Sequence, residues 1–335
     1  MIRIWAEFGL CVLLIALAGS RLSYYGDAIA EKTGLGGTWI GLVLLATVTS
    51  LPELVTGGSA VVLAAAPNIA IGDALGSCVF NLAILVVVDM LSRGDSIYAR
   101  ASQTHLLSAA FGVILIGFIG ISVLLHRDGV QWSVRHVGLY TPILIVLYFI
   151  AMRTLFRHES AQIAAHVAEE AARYRHLTLR RACVGYALAA LVVIGAGIWL
   201  PFIGVAMADT MGWQRSFVGT IFVAFATSVP ELVVTLSALR LGALDMAISN
   251  LLGSNLFDAL IVAIDDLLYV KGSILADVSA THAVSAFSAV IMTGVVMVGV
   301  FYRARVRVLR RAGWISLFLF AMYLLNSYIL YVRGE

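Results

Sequence analysis

The sequence predicts an all-α integral membrane protein with ten transmembrane helices, arranged as two inverted five-helix repeats. Three observations lead there. Of 335 residues, 61% are hydrophobic and only 12% charged. Apolar runs recur along the chain, each near the roughly 20 residues that a helix needs to cross the hydrocarbon core. Lipid offers no hydrogen bonds, so the backbone of such runs must satisfy itself as helix. Finally, one polar pattern occurs twice. Residues 41–81 read GLVLLATVTSLPELVTGGSAVVLAAAPNIAIGDALGSCVFN, and residues 219–258 read GTIFVAFATSVPELVVTLSALRLGALDMAISNLLGSNLFD. Thr49, Ser50, Pro52 and Glu53 match Thr227, Ser228, Pro230 and Glu231. Gly76, Ser77, Phe80 and Asn81 match Gly253, Ser254, Phe257 and Asp258. The offset is 178 residues at the glutamates and 177 at the serines.

The elements follow in order. Residues 5–24 form the first span. Residues 1–20 carry the arginine, apolar run and small-residue end of a signal peptide, but without this span the first repeat has only four. A polar loop over 24–38 holds Asp27, Glu31 and Lys32 and ends in glycines. The second helix, 38–65, contains the first TSLPE; Pro52 removes a donor and frees a carbonyl one turn back. Gly57 and Gly58 suit a bend or close packing. Pro67 marks a turn into the third helix, 69–92, with Asp73, Ser77, Asn81 and Asp89. The fourth and fifth, 104–126 and 137–156, contain no acid. Residues 157–181 are the substantial polar stretch, read as a short surface helix and a basic run forming a cytoplasmic linker. Its His158, His166 and His176 lack metal-ligand spacing. The second repeat supplies helices at 182–207, 216–240, 244–269, 279–302 and 312–332. The domains are therefore 1–156, 157–181 and 182–335. Five spans is an odd number, so the second copy enters the membrane from the opposite side. Duplicated units of this kind build many secondary transporters.

Thr227 and Glu231, like Ser254 and Asp258, are four residues apart and share a helix face. A charge at mid-membrane costs several kcal/mol, so acids beside hydroxyls in two spans read as an oxygen-lined cation site. Inversion brings Glu53 and Glu231 together near mid-membrane. Two bare carboxylates at close range in a low dielectric cannot both stay ionised; a divalent ion, monovalent ions or protons remove the conflict. Calcium takes 6–8 oxygens at flexible geometry, which suits two glutamates with Thr49, Thr227, carbonyls and water. The absence of a His or Cys cluster from the sequence argues against soft ions. Ser249 and Thr235 are read as structural, Asp89 and Asp266 as solvated at the interface, paired with loop arginines, or part of a vestibule. Asp73 stands beside the site or is paired outside it.

The two stretches resemble the alpha-1 and alpha-2 repeats of the sodium/calcium exchanger family, in the cation/calcium antiporter superfamily. The pattern is G-T-S-x-P-E-L followed by G-N-x-x-G-S-N-x-F-[ND]. It departs here at Val48 and Ala226, which replace a glycine, at Asp73, which replaces an asparagine, and at Cys78. The resemblance implies that Glu53 and Glu231 hold calcium and also serve sodium. It implies further that Ser50, Ser77, Asn81, Ser228, Ser254 and Asp258 complete the sodium positions, and that the first and sixth helices slide to alternate access. Transported calcium and sodium are then the partners, together with membrane lipid; no cofactor is expected and the transport unit is a monomer. Asp258 stands where the first repeat has neutral Asn81, which leaves two readings: an uncharged acid, or a third negative charge that brings potassium. Proton-coupled or potassium-dependent exchange of calcium, or of another divalent ion, is the alternative to sodium coupling.

Other classes fit less well. A receptor or channel does not need acids duplicated at mid-depth. An intramembrane hydrolase needs a base, and no motif histidine accompanies the serines. The net charge of +3 arises from loop residues and does not indicate nucleic acid. Cys11, Cys78 and Cys183 lie in apolar segments and give no disulfide framework. Of the 22 Lys and Arg, 16 fall on the side opposite the chain ends. By the positive-inside rule the central loop is cytoplasmic and both termini are outside, in a multi-pass protein of a bacterial inner membrane.

Overall fold

The computed structural model describes residues 1–33, 48–92, 95–127, 133–173, 176–304, 307–309 and 312–333. The first half contains α1 (Ile2–Thr33), α2 (Leu51–Val62), α3 (Pro67–Leu91), α4 (His105–Arg127) and α5 (Tyr140–Arg173). The second contains α6 (Leu179–Met211), α7 (Arg215–Thr227), α8 (Val229–Arg240), α9 (Leu244–Leu268), α10 (His282–Tyr302) and α11 (Trp314–Arg333). Among the described residues, eight helices are long and apolar enough to cross a membrane, and the bent pair α7 and α8 makes a ninth. The expected second span begins at 38; its residues 38–47 lie outside the described residues, and α2 is part of the remainder.

Three boundaries differ from the sequence reading. The expected loop from Tyr24 is helix as far as Thr33. Ala, Glu and Lys there favour helix, and Tyr25 packs onto Gly185 of α6, where a Cβ would strike its ring. The surface helix expected in the central stretch is continuous with the fifth span, because no Gly or Pro interrupts Tyr140–Arg173 after Pro142. The span expected over 216–240 is broken at Ser228 by 44°.

α3 and α9 form the centre and pack on each other; α1 lies along α6, α4 along α10, and α2 against α6. The close approach of α3 to α7 is a glycine contact. A Cβ on Gly76 would strike the Thr220 carbonyl oxygen, and one on Gly72 would come within 3.0 Å of the Thr220 nitrogen. The chain ends lie on one face of the molecule. Trp5 meets Trp213, Trp213 meets Phe217, and Phe217 meets Tyr331, with ring centroids 5.4–6.4 Å apart. Such aromatic girdles mark a membrane interface.

Polar contacts recur with the same chain offset. Asn68 Oδ1 accepts from the backbone N–H of Ser279 at 2.7 Å and lies 3.0 Å from His282 Nε2. Asp245 Oδ1 accepts from Ser102 N–H at 2.8 Å and lies 2.9 Å from His105 Nε2. Asn68 and Asp245, Ser102 and Ser279, and His105 and His282 are each 177 residues apart. Asp89 and Asp266 behave alike. Asp89 accepts from Ser96 Oγ, Ile97 N–H, Gly313 N–H and Ser316 Oγ. Asp266 accepts from Ile274 N–H, Gly138 N–H and Thr141 Oγ1. Both acids are fully buried. The sequence placed them in solvent or beside arginines; instead they satisfy the backbone donors of the links that follow their helices and precede α5 and α11.

Candidate cation site

The site is built from two helix breaks. At Ser50 the backbone has φ −96°, ψ 21°, and at Ser228 φ −86°, ψ 6°. Each break is followed by a proline, whose missing N–H leaves the carbonyl four residues back, on Val48 or Ala226, without its helical donor. Glu53 and Glu231 therefore fall in the first turn of the second half-helix, where free N–H groups and the helix dipole favour a carboxylate. The freed carbonyls at the end of the preceding turn favour a cation. A π-helical turn over Gly219–Val223 leads into the second break, and Gly19 of α1 admits the Pro230 ring.

Of the ten residues singled out by the sequence, nine are buried and Thr49 is half-buried. Several meet across the two halves. Ser228 Oγ donates to Glu53 Oε1 at 3.3 Å and lies 3.0 Å from Ser77 Oγ. Ser77 Oγ in turn lies 3.5 Å from Thr227 Oγ1, which donates to Asp73 Oδ1 at 2.8 Å. Asp73 is thus beside the site. On the other flank, Cys78 Sγ donates to Asp258 Oδ2 at 3.8 Å, and Asn81 Nδ2 donates to Asn255 Oδ1 at 3.1 Å. Asn255 Nδ2 returns to the Cys78 carbonyl at 3.2 Å. Asn81 and Asp258, and Cys78 and Asn255, occupy matching positions in the two motifs. Glu231 lies within electrostatic reach of Glu53, Asp258 and Asp73. Ser50 and Ser254 make no side-chain hydrogen bond among the described residues.

What these groups leave unbonded defines their chemistry. Glu53 Oε2, both oxygens of Glu231, Asp258 Oδ1, Asn81 Oδ1, Ser50 Oγ and Ser254 Oγ are buried without a hydrogen-bond partner among the described residues. A native interior rarely leaves polar atoms so. Ion pairs among the described residues, Arg3–Glu7, His105–Asp245 and Arg215–Asp209, are formed by residues outside this set. Among the described residues no three His, Cys, Asp or Glu converge on one point. A cation bound between the glutamates would complete its shell from hydroxyls, amides and carbonyls, as a hard ion does. Thr235 Oγ1 accepts from Asn250 Nδ2 at 3.1 Å.

Sequence reasoning missed Asn255 and the thiol of Cys78 as a cross-link between the motifs. It also missed Asp265, which is fully buried in α9. An acid within an apolar span is itself a signal; matching by repeat drew attention to Asp266 and away from its neighbour, whose counterpart is Val88.

Comparison with known proteins agrees with this architecture. The model of the family described as sodium/calcium exchanger protein matches residues 3–156 and 182–329. The uncharacterized membrane protein MJ0091 of Methanocaldococcus jannaschii is 28% identical over 252 residues, covering 72% of this chain and 76% of that protein. The solved structure of the sodium-calcium exchanger NCX_Mj superposes with a TM-score of 0.62 at 20% identity, covering 100% of this chain and 99% of that one. The structure of the H+/Ca2+ exchanger CAX gives 0.69 at 13% identity, covering 98% and 85%. These two structures share the fold. The family match spans nearly the whole chain in two blocks that divide at the central stretch, and the chain belongs to the sodium/calcium exchanger family of multi-pass membrane transporters.

Proposed function

We propose that this protein is a secondary antiporter that exchanges calcium for sodium across a cell membrane by alternating access. The observation that carries the reading is the pair Glu53 and Glu231. Both are buried in the first turn after a Ser-x-Pro break, and among the described residues three of their four carboxylate oxygens lack a hydrogen-bond partner. Two buried carboxylates without a basic partner need compensating positive charge. One calcium ion or a set of sodium ions supplies it, and the two sets exclude each other because they need the same oxygens. Ser50, Ser77, Asn81, Ser228, Ser254 and Asp258 complete the sodium positions; Thr49 and Thr227 add hydroxyl and carbonyl oxygens. The chain's family is that of sodium/calcium exchangers.

The transport unit is a monomer of ten spans in two inverted repeats, 1–156 and 182–335, joined by 157–181. Support comes from the reciprocal contacts of Asn68 and Asp245, each with the opposite half, and from chain ends on one face, which requires an even number of crossings. The excess of Lys and Arg orients the linker to the cytoplasm and both termini to the outside.

A second reading, coupling to protons or potassium, is favoured by Asp258. It adds a buried carboxyl where the first repeat has Asn81, and its Oδ1 has no hydrogen-bond partner among the described residues. Calcium uptake into proteoliposomes, with sodium, potassium and pH gradients imposed in turn, separates the readings. Uptake driven by an outward sodium gradient at equal pH supports sodium coupling. Uptake driven by the pH gradient alone removes it.

A further inference from the structure

Asp265 is the buried acid for which the proposed exchange cycle has no use. It lies seven residues after Asp258, two turns along α9, on the seam between α9 and α2. Gly57, one turn after Glu53, faces it: a Cβ at Gly57 would lie 2.6 and 2.9 Å from the two carboxylate oxygens. The carboxyl group therefore fills the notch that Gly57 leaves. The residue is 0% exposed, and neither oxygen has a hydrogen-bond partner among the described residues. Titratable or charged side chains on α9 and the helices packed around it include Asp245, Asp258 and Asp266 on α9, Glu53 on α2, Asp73, Cys78 and Asp89 on α3, His105 and His126 on α4, Tyr140, Tyr148 and Arg153 on α5, and Glu231 and Arg240 on α8. Asp73 is in electrostatic reach of Asp265. Asp266 is fully engaged by backbone and hydroxyl donors.

The second repeat-related end of the pathway differs. The counterparts of Asp265, Gly57 and Asp73 are Val88, Thr235 and Asn250, so the corresponding seam has no acid. A dry seam tolerates a neutral carboxyl far better than a charged one, whereas a seam open to water favours the ion. The notch leaves no accessible surface on Asp265 for a metal ion and its oxygen shell.

We propose that Asp265 is a proton-binding site that governs closure of the α2–α9 seam at one mouth of the Glu53–Glu231 site. The carboxylate takes one proton to become a carboxylic acid as the seam shuts, and returns it to water as the seam opens. The proposal takes from the exchanger reading only that Glu53 marks the ion path.

The test reads the seam and not the flux, so failure of the exchanger reading leaves it intact. Spin labels replace the exposed Val62 and Leu268, at the ends of α2 and α9, with Cys183 changed to Ser. Their distance is measured by pulsed electron resonance in lipid nanodiscs from acidic to alkaline pH. The distribution is expected to move to longer distance as pH rises. In Asp265→Asn, and in Asp265→Val, which copies the other repeat, it is expected to stay short throughout. A wild-type distance that ignores pH overturns the proposal, as does an unchanged response in either folded variant. A shift produced by adding sodium at constant acidic pH and lost in Asp265→Asn overturns it too, since it assigns Asp265 to an alkali ion.

Discussion

Glu53 and Glu231 are 2% and 0% exposed, a burial that a carboxylate tolerates only with a partner for its charge. Changing either to Gln keeps the shape and removes half of the charge offered to calcium. Losing one partner of a buried charge pair typically costs about 3–5 kcal/mol, which is about 100-fold or more in affinity. Glu53→Gln and Glu231→Gln should therefore abolish calcium flux at moderate calcium while the purified protein keeps its gel-filtration profile; flux at the native rate contradicts the shared site. Asp258 distinguishes the coupling ions. If it is uncharged when calcium is bound, Asp258→Asn, the amide already present at Asn81, should retain calcium exchange and weaken its pH dependence. If it is ionised, the same variant should lose a potassium requirement. Loss of flux under every condition eliminates the uncharged form. The paired motifs made these acids legible in the sequence because each repeat supplies a control for the other. Asn255 and Asp265 were not legible. The first acts through an amide contact between halves, which spacing does not reveal, and the second has no counterpart in the other repeat.

The half-helices on either side of Ser228 give this chemistry its place. Pro230 was a visible breaker, yet sequence periodicity ran straight through it and could not supply the 44° bend. That bend is fixed by neighbours: Gly19 accepts the Pro230 ring, and α3 presses Gly72 and Gly76 onto the turn at Thr220. The glycine lost to Ala226 is thus not where the helices come closest; that role belongs to Gly76. Gly76→Val should push α3 from α7, lowering stability by ~1–3 kcal/mol as overpacked sites do. A thermal melt in detergent checks this, and an unchanged midpoint contradicts the contact. Helix ends were the least legible feature. Propensity continued α1 through Thr33 and α5 through Arg173, and only packing on Gly185 shows why the first of these stays ordered.

Across the whole molecule, the proposed orientation rests on the excess of Lys and Arg on the side opposite the chain ends. A cysteine at Ala168 should react with an impermeant reagent only after the cytoplasmic side is opened; labelling from outside intact cells reverses the orientation. The duplication and the helical membrane class were legible because membrane burial writes long apolar runs and the repeat shows in the motifs. The choice of coupling ion was not, since sodium, protons and potassium draw on the same oxygens. The central claim is that calcium and sodium compete for the one pair of glutamates. Equilibrium binding of radioactive calcium to the purified protein, titrated with sodium chloride against choline chloride at constant ionic strength and pH, tests it most directly. Sodium should displace calcium completely and cooperatively, and Glu53→Gln with Glu231→Gln should bind none. Calcium that stays bound as sodium rises, or binding that survives in the double variant, contradicts the account.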